Sequence, residues 1–257
     1  MKFYTQILTQ NDCYKAGRTI TPRGVMVHST GANNPKLSRY VPGNDAIDRN
    51  TAGNHWDMSG TGACVHAFIG KLADGSVGVV QTLPWNRRGW HCGKGSRGSA
   101  NDTHISFEIC EDGLQDASYF NAVYQAAVEL TADLCKQYGL DPQRAGVVIC
   151  HSEGHTRGIA SNHADVMHWF PEFGKNMDTF RADVARTMEG EDEMTQEQFN
   201  KMADAYFAKK AQEEADQLWE KNAIARAQVA GISDGQRPRA IPTRVEVMAM
   251  VTAAVEK

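Results

Sequence analysis

The chain contains nine histidines, and two of them stand in the same kind of place. Gly24-Val-Met-Val runs into His28, and Val147-Val-Ile-Cys runs into His151. Short apolar runs of this kind read as buried strands. In open α/β sheets, neighbouring strand exits collect functional groups at one edge. A polar, Gly-containing loop follows His151 and carries His155, His163, Asp165 and His168. Neutral imidazole and carboxylate are both good zinc ligands, and a catalytic zinc takes three protein ligands plus one open position. His28, His151 and Asp165 meet that requirement, with His155 as the rival to His151, so one Zn²⁺ is the expected cofactor.

The segment His104-Ile-Ser-Phe-Glu-Ile-Cys110 adds a carboxylate. Strand alternation puts His104, Ser106, Glu108 and Cys110 on one face and Ile105, Phe107 and Ile109 on the other. A Glu in so apolar a strand is costly to bury unpaired. Glu108 is therefore expected to face the metal and to take a proton from a water there. His163, two residues before Asp165, is placed to stabilise an oxyanion. Together these groups predict metal-assisted hydrolysis of an amide, without naming the amide.

The elements that must position these residues are partly readable. Residues 1–23 form a leader with one short element and a turn near Pro22. Residues 31–61, rich in Gly, Asn, Asp and Pro, read as a long ordered loop, and loops of that length are usually functional or disordered. Ala63–Ile69 and Val77–Gln81, joined at Ala73-Asp-Gly75, predict a hairpin. Between Leu83 and Gly93 lie Trp85, Trp90 and His91, whose rings suit sugar or peptide binding. Apolar residues recur at helical spacing over 117–138, with Gly139 as the stop. Pro171 is expected to open a further helix reaching Met188. The acidic stretch at 189–195 reads as a linker. Beyond it, residues 196–257 read as a small helical module, opened by the capping-box pattern at Thr195–Gln198.

Composition narrows the class. At 257 residues and 41% hydrophobic content, the chain can build one core and a small second module. A net charge of −4 supplies no basic field for nucleic acid. No apolar run is long enough to span a membrane. The first residues lack the apolar centre of a signal peptide, so the protein is expected to be held in the cytoplasm. The six cysteines form no C-x-x-C pair and lie beside apolar runs, which predicts buried free thiols.

Several motifs in order resemble one family. They are Gly24–Thr30 ending in H-S-T, V-H-A-F at Val65–Phe68, W-H-C-G at Trp90–Gly93, N-D-T-H-I-S-F-E at Asn101–Glu108, and H-x13-D from His151 to Asp165. This set, spanning roughly residues 4–185, resembles the type 2 N-acetylmuramoyl-L-alanine amidases, which include phage lysins and relatives of the peptidoglycan recognition proteins. The resemblance implies an α/β fold with a mixed central sheet flanked by helices. It implies one zinc on His28, His151 and Asp165, and places the family's catalytic Glu on Glu108. The family's second catalytic position, often Lys, is His163 here. Some members carry a catalytic Tyr where this chain has Val65, which favours Glu108 as the base. Trp90, His91 and His66 are the expected substrate-binding residues.

The implied activity is cleavage between the lactyl group of N-acetylmuramic acid and L-alanine in peptidoglycan, with release from the cytoplasm to act on the cell wall. Two other readings remain at this stage: a peptidoglycan recognition module without catalysis, and a zinc peptidase cutting stem peptides. The absence of H-E-x-x-H weighs against the second. In the tail, W…G-I-S-D-G-x-R-P…T-R-x-E resembles a short segment of lysins from phages of Gram-positive hosts, similar to half of an S-layer homology repeat. That resemblance implies wall attachment, and the alternative is a homodimer through the C-terminal helices.

Overall fold

The computed structural model describes residues 1–190 and 203–210. The chain divides into two compact units, Met1–Asp192 and Glu193–Lys257. The first unit is built on a six-stranded sheet. Its strands are β1 (Phe3–Thr5), β2 (Gly24–Asn33), β3 (Ala67–Lys71), β4 (Val77–Gln81), β5 (His104–Glu111) and β6 (Val148–Cys150). Its helices are α1 (Asp12–Lys15), α2 (Ala117–Tyr138), α3 (His151–Thr156) and α4 (Met177–Glu189). The spatial order is β1-β4-β3-β5-β2-β6. Only the hairpin β3–β4 is antiparallel, so the sheet is mixed, as expected.

Each face of the sheet has its own apolar cover. Ile105, Phe107 and Ile109 meet α2 and α4, where Phe120, Val123, Ala127, Phe180 and Val184 are buried. On the other face Phe68, Val80 and Cys110 pack with Leu8, Leu37, Tyr40, Val41 and Ile47. Of the stretch 31–61, residues 31–33 continue β2 and Leu37–Arg39 form a 3-10 turn; the remainder is loop held by this burial, and Trp56 sits edge-on to both Tyr40 and Phe68. Helix α2 starts where the Asp116 carboxylate accepts from the Ser118 and Tyr119 amides, and ends at Gly139, which takes a left-handed conformation at φ 62°. All six cysteines are free and buried.

Two expected boundaries are corrected. The stretch after His151 is not loop throughout: His151 opens α3, where Cys150 and Glu153 form a reciprocal cap. Pro171 does not open the last helix. It sits in a single 3-10 turn, Phe170–Phe173, closed by left-handed Gly174. Helix α4 then starts afresh after Asn176, whose side chain accepts from the Thr179 amide. In the second unit, residues 203–210 are helical, with Tyr206 and Phe207 exposed. The S-layer-like segment from Trp219 onward lies outside the described residues. Among the described residues no helix is long and apolar enough to cross a membrane.

Candidate metal centre

Three adjacent parallel strands place the site. In β2 and β6, Val27 is paired with Cys150, so the following residues, His28 and His151, leave side by side. On the opposite flank of β2, His28 is in register with Glu108 of β5. Asp165 reaches the same point from the segment before the Phe170–Phe173 turn. The three groups converge: His28 Nδ1 is 2.9 Å from Asp165 Oδ2. His151 Nδ1 is 3.3 Å from His28 Nδ1 and 3.6 Å from Asp165 Oδ2. Zinc bonds of about 2.0–2.1 Å in a tetrahedron put neighbouring ligand atoms about 3.3 Å apart. The observed triangle has that size, and all three residues are buried.

The protonation states suit a cation. Burial holds the His28 imidazole below its ordinary pKa, against the pull of Asp165, so its neutral form is favoured. Burial pushes the Asp165 carboxyl up, but the imidazoles of His151, His28 and His163 around it outweigh burial and hold the group well below the usual carboxylate range; a bound metal would take the place of any proton that His28 or His151 Nδ1 directs at this carboxylate. The ion-pair partners of Asp165 among the described residues are all histidines. A buried carboxylate that faces imidazoles and neither Lys nor Arg among the described residues is short of fixed positive charge, which a divalent ion supplies.

His151 shows which nitrogen is available. The Ser161 hydroxyl donates to the Cys92 carbonyl (3.1 Å), so it accepts from His151 Nε2–H (3.2 Å). The Nδ1 lone pair is left facing the centre. The rival, His155, is exposed and lies 3.4 Å from the Ala160 carbonyl through Nδ1. It is outside the cluster.

Glu108 is half-buried, and its Oε2 is buried with no hydrogen-bond partner among the described residues. Burial, then the charges of Asp165 and Glu111, pushes its pKa well above the ordinary value. His163 is 67% exposed and is hydrogen-bonded through Nδ1 to Asp165 Oδ1. Its ring lies 5.2 Å from that of His151.

The three residues expected to bind substrate lie as follows. His66 is fully buried. Its Nδ1 accepts from the Ser106 amide (3.0 Å) and its Nε2–H donates to the Arg87 carbonyl (2.7 Å). Both ring nitrogens are thus used inside the protein. Trp90 is half-buried, pairs through its backbone with Cys64, and packs on Cys13 and Leu83. His91 Nδ1 lies 3.0 Å from His28 Nε2. Sequence reasoning also missed Ser161 and the pair His168 Nε2–Glu111 Oε1 (2.9 Å). Ser161 carries no local signal, whereas Glu111 could have been noticed as a second carboxylate in the strand of Glu108.

Comparison with known proteins matches residues 18–169 to the family model described as N-acetylmuramoyl-L-alanine amidase. An N-acetylmuramoyl-L-alanine amidase CwlA of Bacillus sp is 26% identical over 191 residues, covering 73% of this chain and 67% of the relative. Another CwlA, of Bacillus subtilis, is 27% identical over 106 residues, covering 41% of this chain; the match spans 38% of that relative's length. Among solved structures, the Staphylococcus aureus hydrolase AmiA aligns with a TM-score of 0.52 at 17% identity, over 73% of this chain and 83% of that one. PlyL aligns with a TM-score of 0.51 at 20% identity, over 72% of this chain and 97% of that one. These likenesses carry the fold, while the family match spans more than half of the sequence: the chain belongs to the N-acetylmuramoyl-L-alanine amidase family.

Proposed function

We propose that this chain hydrolyses the amide between the lactyl group of N-acetylmuramic acid and L-alanine in peptidoglycan, with one zinc ion held by His28, His151 and Asp165. The observation that carries the reading is the buried triangle of Nδ1, Nδ1 and Oδ2 atoms at zinc-ligand spacing, with Glu108 in register with His28 and its buried Oε2 without a hydrogen-bond partner among the described residues. Zinc in such a site supplies Lewis acidity and lowers the pKa of a water to about 7. The remaining work falls to the protein. Glu108, with a raised proton affinity, accepts the proton of the attacking water and returns it to the departing alanine nitrogen. His163, exposed beside Asp165, donates to the oxygen that gains charge as the carbonyl is attacked.

The further features of the reading are a lysin-type role on the wall of a Gram-positive host and either wall attachment or homodimer formation by the C-terminal module. Mass spectrometry of digested peptidoglycan tests the reaction. The expected products are a free lactyl carboxyl on the sugar and a new L-alanine amino terminus, formed only when zinc is present. A new amino terminus inside the stem peptide would identify a peptidase instead.

A further inference from the structure

A metal-ligating imidazole needs a fixed tautomer and ring plane, and both are set by whatever its second nitrogen meets. For His151 that partner is Ser161. For His28 it is His91: the two rings stand edge to face at 72°, with centroids 5.1 Å apart, and Nε2 meets Nδ1 at 3.0 Å. The other nitrogen of His91, Nε2, is buried and has no hydrogen-bond partner among the described residues. A histidine that recognised substrate would present a nitrogen outward. Here one nitrogen faces a metal ligand and the other is enclosed.

His91 is itself held in place. Asn101 is buried in the single 3-10 turn Ala100–Asp102 that leads into β5. Its Oδ1 accepts the backbone amides of His91 (2.9 Å) and Cys92 (3.2 Å). The Cys92 carbonyl accepts from both the amide (2.8 Å) and the hydroxyl (3.1 Å) of Ser161. The dipeptide His91-Cys92 therefore backs both metal histidines, and one asparagine sets its position.

We propose that His91 is a positioning residue of the metal centre. It accepts from His28 Nε2–H, which fixes the tautomer whose Nδ1 lone pair faces the metal, and Asn101 holds His91 in register for that role. This rests on the zinc reading above, with His28 as a ligand.

The test compares the full chain with His91→Phe and His91→Asn. Phe keeps the ring but offers no acceptor, whereas the Asn Oδ1 falls near the position of the lost Nδ1. Zinc affinity is read by competition with a chromophoric chelator, and the His28 tautomer by ring ¹⁵N shifts in zinc-loaded protein. His91→Phe is expected to weaken zinc binding by about 10- to 100-fold, and His91→Asn to recover most of it. KM at saturating zinc should change little in either variant. Unchanged zinc affinity in His91→Phe together with a raised KM would overturn the proposal and make His91 a substrate contact. If His91→Phe does not fold, Asn101→Ala carries the same expectation, and normal zinc affinity there overturns the proposal equally. Failure of the wild-type chain to bind zinc would strike the zinc reading itself, before any variant is compared.

Discussion

Among single residues, Glu108 has the sharpest consequences. It sits in register with His28, has an enclosed oxygen without a partner among the described residues, and is pushed toward its protonated form by burial and by Asp165 and Glu111. Glu108→Gln keeps the shape but loses the basic oxygen. Zinc content should be retained while turnover falls about 10²-fold or more. The same raised pKa sets a sign for stability. In metal-free protein the folded state binds the Glu108 proton more tightly than the unfolded chain does, so stability falls as pH rises above the ordinary carboxylate range. Chemical denaturation in chelator should therefore show Glu108→Gln gaining stability over the wild type at neutral pH, with the gain vanishing in acid. A neutral-pH loss in the variant would contradict this.

His66 gives the opposite slope. Burial lowers its pKa to about 4 despite its hydrogen bonds. The unfolded chain then binds the extra proton first, and stability should drop as pH falls from about 6.5 toward 4. His66→Gln should flatten that decline, which urea midpoints across the pH range will show. The places of His28 and His151 at strand exits and of Glu108 on its strand could be read because those are local patterns, whereas Asp165 stands in the polar segment after His151 with no element to mark it. The partnership of His28 with His91 spans 63 positions, and nothing in W-H-C-G distinguishes a ring that faces substrate from one that faces another ring.

At the level of elements, the site depends on the register of β6, β2 and β5. The carboxylate of Glu111, buried at the end of β5, ties two segments together. It accepts the Gly31 amide at 3.1 Å and pairs with His168 at 2.9 Å, three residues past Asp165. It therefore links the strand carrying His28 to the segment carrying Asp165. Glu111→Ala leaves the Gly31 amide and His168 unmet, which should cost about 1–3 kcal/mol. Thermal unfolding of the metal-free protein checks it, and an unshifted Tm would show that the link carries no energy. The hairpin and α2 could be read because their turn and cap residues are local. Helix α3 could not: it is only six residues long, and Glu153, which caps it, is also held by Arg181 of α4 at 3.0 Å. The break before α4 depends on left-handed Gly174 and the Asn176 cap, which the apolar spacing across Phe173 and Met177 hides.

For the whole molecule, the first unit, Met1–Asp192, contains both sheet-covering cores and every residue of the proposed site. A chain ending at Gly190 is expected to fold and to cleave small soluble muramyl peptides at the full-length rate. If residues 193–257 anchor the enzyme, the shortened chain should clear intact cell walls more slowly; equal clearing would remove anchoring as their role and leave self-association, which sedimentation of the full chain can detect. The proposed metal centre holds one zinc on His28, His151 and Asp165. The most direct measurement is zinc content per chain, by mass spectrometry, of the wild type and of His28→Ala, His151→Ala, Asp165→Ala and His155→Ala after equal exposure to the metal. One zinc is expected in the wild type and in His155→Ala, and loss of most zinc in the other three. Full zinc in His151→Ala with loss in His155→Ala would contradict it.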